Sequence, residues 1–263
     1  MIAAATQDWN PGSYERFRGL RLRPALDLLA QVPGDLPPGD VIDLGCGAGA
    51  VAGALAARFP DRPLIGVDNS PAMLARAKGY GALIEADAAT WQPGRPPALI
   101  FSNALCHWLP DHAALFARLA GFLAPGGVLA VQMPRQYQAP SHALLREIAA
   151  RDFPDRFDFA DWRAPVSPPG DYARLLAPLG DASVWETSYM QRLEAVADGH
   201  PVRRFTQSTA MRPFLGRLDA EEAARFTARY DDALARAYPV EPDGAVWFPF
   251  KRVFFVLKPG MRA

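Results

Sequence analysis

The residues best suited to chemistry form one short stretch, VIDLGCGAG, at positions 41–49. An apolar run leads into Asp43, and Gly45, Gly47 and Gly49 follow at alternate positions before a helical stretch, AVAGALAARF. A strand, a glycine-rich turn and a helix in this order bind nucleotide-like ligands in α/β sheets. Glycines let a ligand approach the backbone, and the helix directs free N–H groups at it. The stretch therefore predicts a site for such a ligand.

Asp43 indicates which ligand this stretch favours. Gly45, Gly47 and Ala50 also fit a loose dinucleotide pattern, so the glycines alone leave NAD open. A carboxylate at the end of a strand is a poor neighbour for a pyrophosphate but a good partner for an ammonium group. S-adenosylmethionine has such an ammonium group and no phosphate. The stretch therefore favours a methyl donor over NAD.

Further polar residues follow other predicted strands. Asp68 ends LIGVD, Asp87 ends ALIEAD and Asn103 lies in ALIFSNAL. Ligands of parallel sheets bind at the carboxyl ends of the strands, so these side chains are expected along one edge. For a methyl donor, Asp68 would accept both ribose hydroxyls, and Asp87 with the Ala88 backbone would meet the adenine edge. Asn103 would face the methionine or the sulfonium. Each residue alone also fits a helix N-cap or a loop, but their joint placement favours a site.

The elements that must position these residues alternate between strand and helix from 41 to 134. Together with strands at 182–193 and near the C-terminus, they predict an α/β fold with a Rossmann-like, mostly parallel sheet of seven strands. Ser70 and Pro71 resemble an N-cap and first helical position for PAMLARAK. We expect one domain over 1–263, with an N-terminal helical segment at 1–32. A helical cap insertion is predicted at 195–239, and so long a connection usually has a function.

Composition narrows the classes of partner. Among 263 residues, 28 basic and 28 acidic side chains cancel, which argues against a nucleic-acid interface. Cys46 and Cys106 fit neither a disulfide framework nor a metal-ligand spacing, and His112, His142 and His200 are scattered, so no metal is expected. We find no signal peptide and no run near the about 20 apolar residues that cross a bilayer. We therefore expect a cytoplasmic protein without a membrane partner.

Several stretches show a family resemblance that covers nearly the whole chain. They are DWNPGSYERFRGLRLRPALDLLAQVP, VIDLGCGAG, GVDNSPAMLARA, EADAATWQP, LIFSNALCHWLPDH, GVLAVQMP, AMRPFL and FKRVFFV. In them the chain resembles the class I S-adenosylmethionine-dependent methyltransferases, and among these the trans-aconitate 2-methyltransferase family. It departs from the family pattern at AGAVAG, at Cys106–His107, at Ala210 and at Lys251.

The resemblance implies transfer of a methyl group to a carboxylate of a small polycarboxylate, giving a methyl ester and S-adenosylhomocysteine. Such an acceptor is ionised at neutral pH, because its reference pKa is about 4, so no general base is required. Arginines would hold its carboxylates, since their geometry is bidentate, although surface solvation is the other interpretation of each one. The implied acceptor-binding residues are Tyr14, Arg21, Arg23, Arg212 and Arg252. The implied donor-binding residues are Asp43, Gly45, Cys46, Gly47, Gly49, Asp68, Asn69, Met73, Asp87, Ala88, Asn103 and Trp108.

His107 follows the fourth predicted strand, where a reacting group would lie. As a base it would suit an alcohol, phenol or amine acceptor, and otherwise it packs beside the site with no proton role. Three other functions stay open. The chain could methylate another small acceptor, such as a different acid, a carrier-bound acyl group or a phenol. It could be an NAD-dependent oxidoreductase, or a non-catalytic protein that keeps the cofactor fold.

Overall fold

The structure is a computed structural model that describes residues 18–260. Tyr14 and the first half of the predicted N-terminal segment lie outside the described residues. Arg21 lies within a described helix, but its side chain is outside the description. Within the described part of the chain, no helix combines the length and apolarity that a bilayer crossing requires.

A seven-stranded sheet forms the centre of the fold. Its strands are β1 (Val41–Leu44), β2 (Leu64–Asp68), β3 (Ala82–Glu85), β4 (Leu99–Asn103), β5 (Val128–Pro134), β6 (Gly180–Leu193) and β7 (Val246–Pro259). Their order is β3-β2-β1-β4-β5-β7-β6, and the neighbours from β3 to β5 pair in parallel. The predicted Rossmann-like, mostly parallel sheet is therefore confirmed. The order reverses between β1 and β4, which is where such sheets bind ligands.

Helices connect these strands. They are α1 (Arg18–Ala30), α2 (Ala52–Arg58), α3 (Pro71–Leu74), α4 (His112–Phe122), α5 (Pro140–Asp152), α6 (Pro169–Leu176), α7 (Pro201–Thr206), α8 (Arg212–Leu215) and α9 (Ala220–Ala237). The last three form the predicted helical insertion before the final strand. Ser70 caps α3 by accepting a hydrogen bond from the backbone N–H of Met73 at 3.4 Å, as predicted. The helix itself ends at Leu74, earlier than PAMLARAK suggests.

The chain divides into two compact units. Among the described residues, the first unit comprises 18–133, Pro168–Glu186 and 253–260, and the second comprises Pro134–Ser167 and Thr187–Arg252. In the first unit, β1, β4 and β5 are buried almost throughout because helices cover both faces of a parallel sheet.

The core of the second unit is aromatic. Phe226 of α9 stacks on Phe214 with ring centroids 5.7 Å apart, and Tyr230, one turn on, is fully buried. The Tyr230 hydroxyl donates a hydrogen bond of 2.6 Å to the backbone oxygen of Ser141 in α5. The Tyr238 hydroxyl accepts one of 3.1 Å from the backbone N–H of Ser141. These bonds fix the start of α5 against α9, since buried polar groups are costly without partners.

Candidate functional site

The turn after β1 has a backbone that requires glycine. Gly45, Gly47 and Gly49 have φ of +81°, +52° and +83°. A Cβ on Gly45 would also lie 2.6 Å from the Leu105 Cβ, so a larger residue would collide there. The backbone N–H of Gly45 donates to the Val67 carbonyl at 2.8 Å, which ties the turn to β2. The three glycines therefore form a tight turn after β1, as the pattern predicts.

Asp43 is a buried carboxylate at the end of β1, with 2 % of its surface exposed. Its Oδ2 accepts a hydrogen bond of 2.6 Å from the Tyr80 hydroxyl. Burial raises the pKa of Asp43 to about 6, the bond from Tyr80 opposes this rise, and the negative charge of Asp68 adds to it. A buried carboxylate is stabilised in its charged form by a cation or by further donors. The position therefore suits a ligand ammonium group.

Asp68 ends β2 and accepts hydrogen bonds from two turns. Its Oδ2 accepts from the backbone N–H of Gly47 at 2.8 Å, and its Oδ1 accepts from that of Ser70 at 2.9 Å. A carboxylate has roughly four acceptor positions, so each oxygen keeps a lone pair for another donor. The side chain is half-buried, which leaves it accessible to a diol. Asp68 thus links the glycine turn to the loop that starts α3.

The loop after β3 is held from α4. The guanidinium of Arg118 donates to the carbonyls of Ala88 and Trp91 at 2.6 and 2.7 Å. Asp87 is exposed and accepts from the backbone N–H of Ala89 at 2.8 Å. The sequence gives no sign of Arg118, because it lies 30 residues beyond Ala88 inside a helix. Only Oδ1 of Asp87 accepts the bond within this turn, so its Oδ2 is available to a ligand.

Asn103 and His107 lie at and just after the end of β4. Asn103 pairs with Gln132 of β5 in the sheet register. Its Oδ1 is buried and has no hydrogen-bond partner among the described residues, so it fits a donor group on a bound ligand. His107 lies in a 3-10 turn at Cys106–Trp108 and is 8 % exposed. The His107 ring lies 4.7 Å from that of Trp108, whose own surface is 57 % exposed.

His112 supports that turn from behind. One ring nitrogen lies 2.9 Å from the Cys106 carbonyl and the other lies 2.7 Å from the Tyr172 hydroxyl. Burial lowers the pKa of His112, which favours the neutral ring. Nε2 then donates to the carbonyl and Nδ1 accepts from the tyrosine. The histidine therefore fixes the backbone beside His107. The described residues contain no group of three or more His, Cys, Asp or Glu side chains placed to hold a metal ion.

The other residues predicted to bind the donor lie in the first unit as well. Cys46 is 7 % exposed and Met73 is 8 % exposed, whereas Asn69 is exposed. Burial raises the pKa of the Cys46 thiol, so this cysteine stays protonated. The structure places Asp68 in direct contact with the glycine turn, through the bond from Gly47. Asp43 lies two residues before the first glycine of that turn.

The predicted acceptor-binding arginines differ in burial. Arg23, in α1, is exposed and lies 3.9 Å from Asp27 in an ion pair. Arg212 is exposed at the start of α8 in the second unit. Arg252, in the part of β7 that belongs to the second unit, is 6 % exposed, with its guanidinium 4.8 Å from the centroid of the Phe250 ring. Burial of an arginine is uncommon, so Arg252 is the strongest functional candidate of the group.

Comparison with known proteins identifies the family. A family described as methyltransferase domain matches residues 14–176, more than half of the chain. A trans-aconitate 2-methyltransferase of Methylobacterium radiotolerans is 44% identical, with 95% of this chain and 98% of that protein covered. One from Streptomyces avermitilis is 42% identical over 97% of this chain and 98% of its own length. The chain belongs to the trans-aconitate 2-methyltransferase family.

Two solved structures share the fold of this chain. The YcgJ protein from Bacillus subtilis has a TM-score of 0.56 and 16% identity, with 90% of this chain and 99% of that chain covered. A phosphoethanolamine N-methyltransferase 2 of Haemonchus contortus, in complex with S-adenosyl-L-methionine, has a TM-score of 0.52 and 17% identity. The match covers 90% of this chain and 53% of the Haemonchus contortus chain. At such identities the likeness concerns the fold alone.

The family also settles two alternatives left open by the sequence. The chain is an S-adenosylmethionine-dependent methyltransferase, so the NAD-dependent oxidoreductase and the non-catalytic interpretations are set aside. The preference for an ammonium-bearing donor, predicted from Asp43, agrees with this outcome. The buried carboxylate, the glycine turn and the unpartnered Asn103 Oδ1 all fit that donor.

Tyr80, whose hydroxyl donates to Asp43, is a residue that the sequence analysis missed. It lies between Gly79 and Gly81, in the connection from α3 to β3, and its hydroxyl reaches Asp43 across 37 positions of sequence. The only local signal is an aromatic residue flanked by glycines. Glycines there give the connection the freedom to fold back onto β1.

Proposed function

We propose that this methyltransferase forms a methyl ester of trans-aconitate or a similar small polycarboxylate. The observation that supports the acceptor most directly is the match, over nearly the full length of both chains, to relatives named trans-aconitate 2-methyltransferase. A buried arginine in the second unit, Arg252, supports an anionic acceptor independently of those names.

In this proposal the methyl donor is held at the carboxyl ends of β1, β2 and β4. Asp43 receives the ammonium group and Asp68 receives the ribose hydroxyls through its remaining lone pairs. Asn103 accepts a hydrogen bond at its buried Oδ1. The remaining members of the donor site are Gly45, Cys46, Gly47, Gly49, Asn69, Met73, Asp87, Ala88 and Trp108.

Methyl transfer to a carboxylate requires the protein mainly to orient the acceptor. S-adenosylmethionine, when bound, supplies an electrophilic methyl group and leaves as S-adenosylhomocysteine. A carboxylate acceptor is already ionised, so no side chain needs to remove a proton and His107 has no base role. Correct alignment of the reacting groups is worth roughly 7–11 kcal/mol. The task of this chain is therefore to hold the acceptor in one orientation.

The arginines hold the acceptor in this proposal. Arg252 provides a bidentate cation on an aromatic surface, where a charge interaction is stronger than in water. Tyr14, Arg21, Arg23 and Arg212 complete the proposed set, by the resemblance of their sequence stretches to the family. No metal takes part.

The proposal extends to organisation and location. We retain one methyltransferase domain over 1–263, an N-terminal helical segment at 1–32 and a cap at 195–239. The partner is a small-molecule carboxylate, with neither nucleic acid nor membrane involved. A cytoplasmic location is favoured by the two buried free thiols, Cys46 and Cys106, since reduced cysteines are typical of that compartment.

Methyl transfer from labelled S-adenosylmethionine tests the proposal. The acceptors are trans-aconitate, cis-aconitate, citrate, isocitrate and simple phenols, each offered to the full chain. We expect selective labelling of trans-aconitate as a base-labile ester. Labelling of another acid would keep the reaction and change the acceptor. Labelling of a phenol alone would overturn the carboxylate proposal and make His107 the candidate base.

A further inference from the structure

Tyr80 occupies a space that two glycines leave open. Its ring lies against β2, where a Cβ on Gly66 would come within 3.1 Å of the Tyr80 Cδ1. The ring also lies against the glycine turn, where a Cβ on Gly49 would come within 3.2 Å of the Tyr80 Cε2. A side chain at either position would force the ring to move. The ring is therefore fitted closely between β2 and the glycine turn.

The hydroxyl of this fixed ring has one strong partner. It donates to Oδ2 of Asp43 at 2.6 Å, and Asp43 is 2 % exposed. A short bond to an ionised acceptor in a buried place is about twice as strong as a neutral one. It also fixes the rotation of the carboxyl group, because one of its two oxygens is bound to a rigid ring.

We propose that Tyr80 is a positioning residue of the donor site, which binds Oδ2 of Asp43 and leaves Oδ1 for the ammonium group of the donor. The inference rests on the proposed donor site and adds a residue to it. Tyr80 acts through Asp43 and touches no reacting atom. Its second effect is to favour the charged form of the Asp43 carboxylate.

The charge state of Asp43 depends on the groups that face it. The described ones are the Tyr80 hydroxyl, the carboxylate of Asp68 on β2 and the Cys46 thiol in the turn. Burial and Asp68 favour the protonated acid, whereas Tyr80 favours the carboxylate. The thiol stays neutral because burial and both carboxylates raise its pKa. Removing the Tyr80 hydroxyl would therefore raise the pKa of Asp43 further.

Calorimetric binding of S-adenosylhomocysteine between pH 5.5 and 8.5 tests the inference, with the full chain and the variant Tyr80→Phe. Phenylalanine keeps the ring and its packing. The wild-type affinity should fall as the pH drops through about 6, the pKa of Asp43. In Tyr80→Phe that midpoint should move upward, with a loss of about fivefold at pH 6 and less than about twofold at pH 8.5, as expected for a shift near one pH unit.

The control is the same substitution in an Asp43→Asn background. There Tyr80→Phe should cause no pH-dependent change, because the titrating group is gone. An equal loss of affinity at every pH would mean a purely structural role and would overturn the inference. The same pH profile for wild type and Tyr80→Phe would also overturn it. If the folded wild type binds no S-adenosylhomocysteine at any pH, the proposed donor site itself is wrong.

Discussion

The residues proposed to bind the two ligands differ in charge and in surroundings between the two compact units. In the first unit, carboxylates stand at the ends of short buried strands, and backbone N–H groups and Tyr80 hold them in place. In the second unit, guanidinium groups lie on aromatic rings, as with Arg252 over Phe250 and Arg146 over Trp162 at 3.6 Å.

This difference suggests a division of work. Acidic groups with fixed backbone donors suit a ligand that brings its own cation and hydroxyls. Cations on aromatic faces suit an anion that must be desolvated. Substitutions of Asp43 and Asp68 in the first unit should therefore change donor affinity, and substitution of Arg252 in the second unit should change acceptor parameters. Each prediction below tests one side of that division.

The largest effect is expected for Asp68→Ala. It removes the acceptor of the two hydrogen bonds that the ribose hydroxyls are proposed to donate, about 1.5–3 kcal/mol each. It also removes the acceptor of the backbone N–H groups of Gly47 and Ser70. Calorimetry should show S-adenosylhomocysteine affinity reduced at least about 100-fold. Asp61→Ala, an exposed acid before β2, is the control and should bind normally. An unchanged affinity for Asp68→Ala would refute the ribose role.

Arg252→Ala should lower kcat/KM for the acceptor about 100-fold, mainly through KM, since a charged hydrogen-bonded pair is lost. Affinity for S-adenosylhomocysteine should change less than about threefold, since Arg252 belongs to the acceptor side. Steady-state kinetics with saturating donor measures the first effect and calorimetry the second. Arg163→Ala, an exposed arginine of the same unit, serves as control. Similar losses in both measurements would indicate general destabilisation.

Asp43→Asn should weaken S-adenosylhomocysteine about tenfold while stabilising the free protein. The pKa of Asp43 is raised to about 6 when folded, against about 3.9 when unfolded. Its stabilising contribution is therefore full below about pH 4 and is lost as the pH rises through 6. Asparagine imitates the protonated form, so the variant should have the higher Tm at pH 7.5, with little difference at pH 4.5. A lower Tm at pH 7.5 would contradict this account.

The smallest effect is expected for His107→Ala. If the acceptor is a carboxylate, no proton is removed, and kcat should fall less than about threefold. Rates from pH 6 to 8.5 measure this, and the variant should keep the profile of the wild type. A fall of 100-fold or more in kcat, with the shape of the pH profile unchanged at its alkaline end, would give His107 the base role. It would also point to an acceptor that has a proton to lose.

The proposed donor site has a clearer signal in the sequence than the proposed acceptor site, for a physical reason. Asp43 and the three glycines lie within seven residues of each other, and Asp68 ends a predicted strand, so local patterns in the sequence point to them. The contacts of Tyr80 and Arg118 were not predicted because their partners, Asp43 and Ala88, are 37 and 30 residues away. Only the pairing of β1 with β2 and the packing of α4 bring them together.

The sequence by itself determined the alternation of strands and helices, the glycine turn, the carboxylates at the strand ends and the family. These depend on local rules, such as the φ that glycine permits and the period of buried residues. Tertiary structure alone decided which side chains became buried and what they contact. It placed Asp43 at 2 % exposure under Tyr80 and Arg252 at 6 % beside Phe250. Burial sets the charge state and the strength of each interaction, and it arises from contacts between segments far apart in the chain.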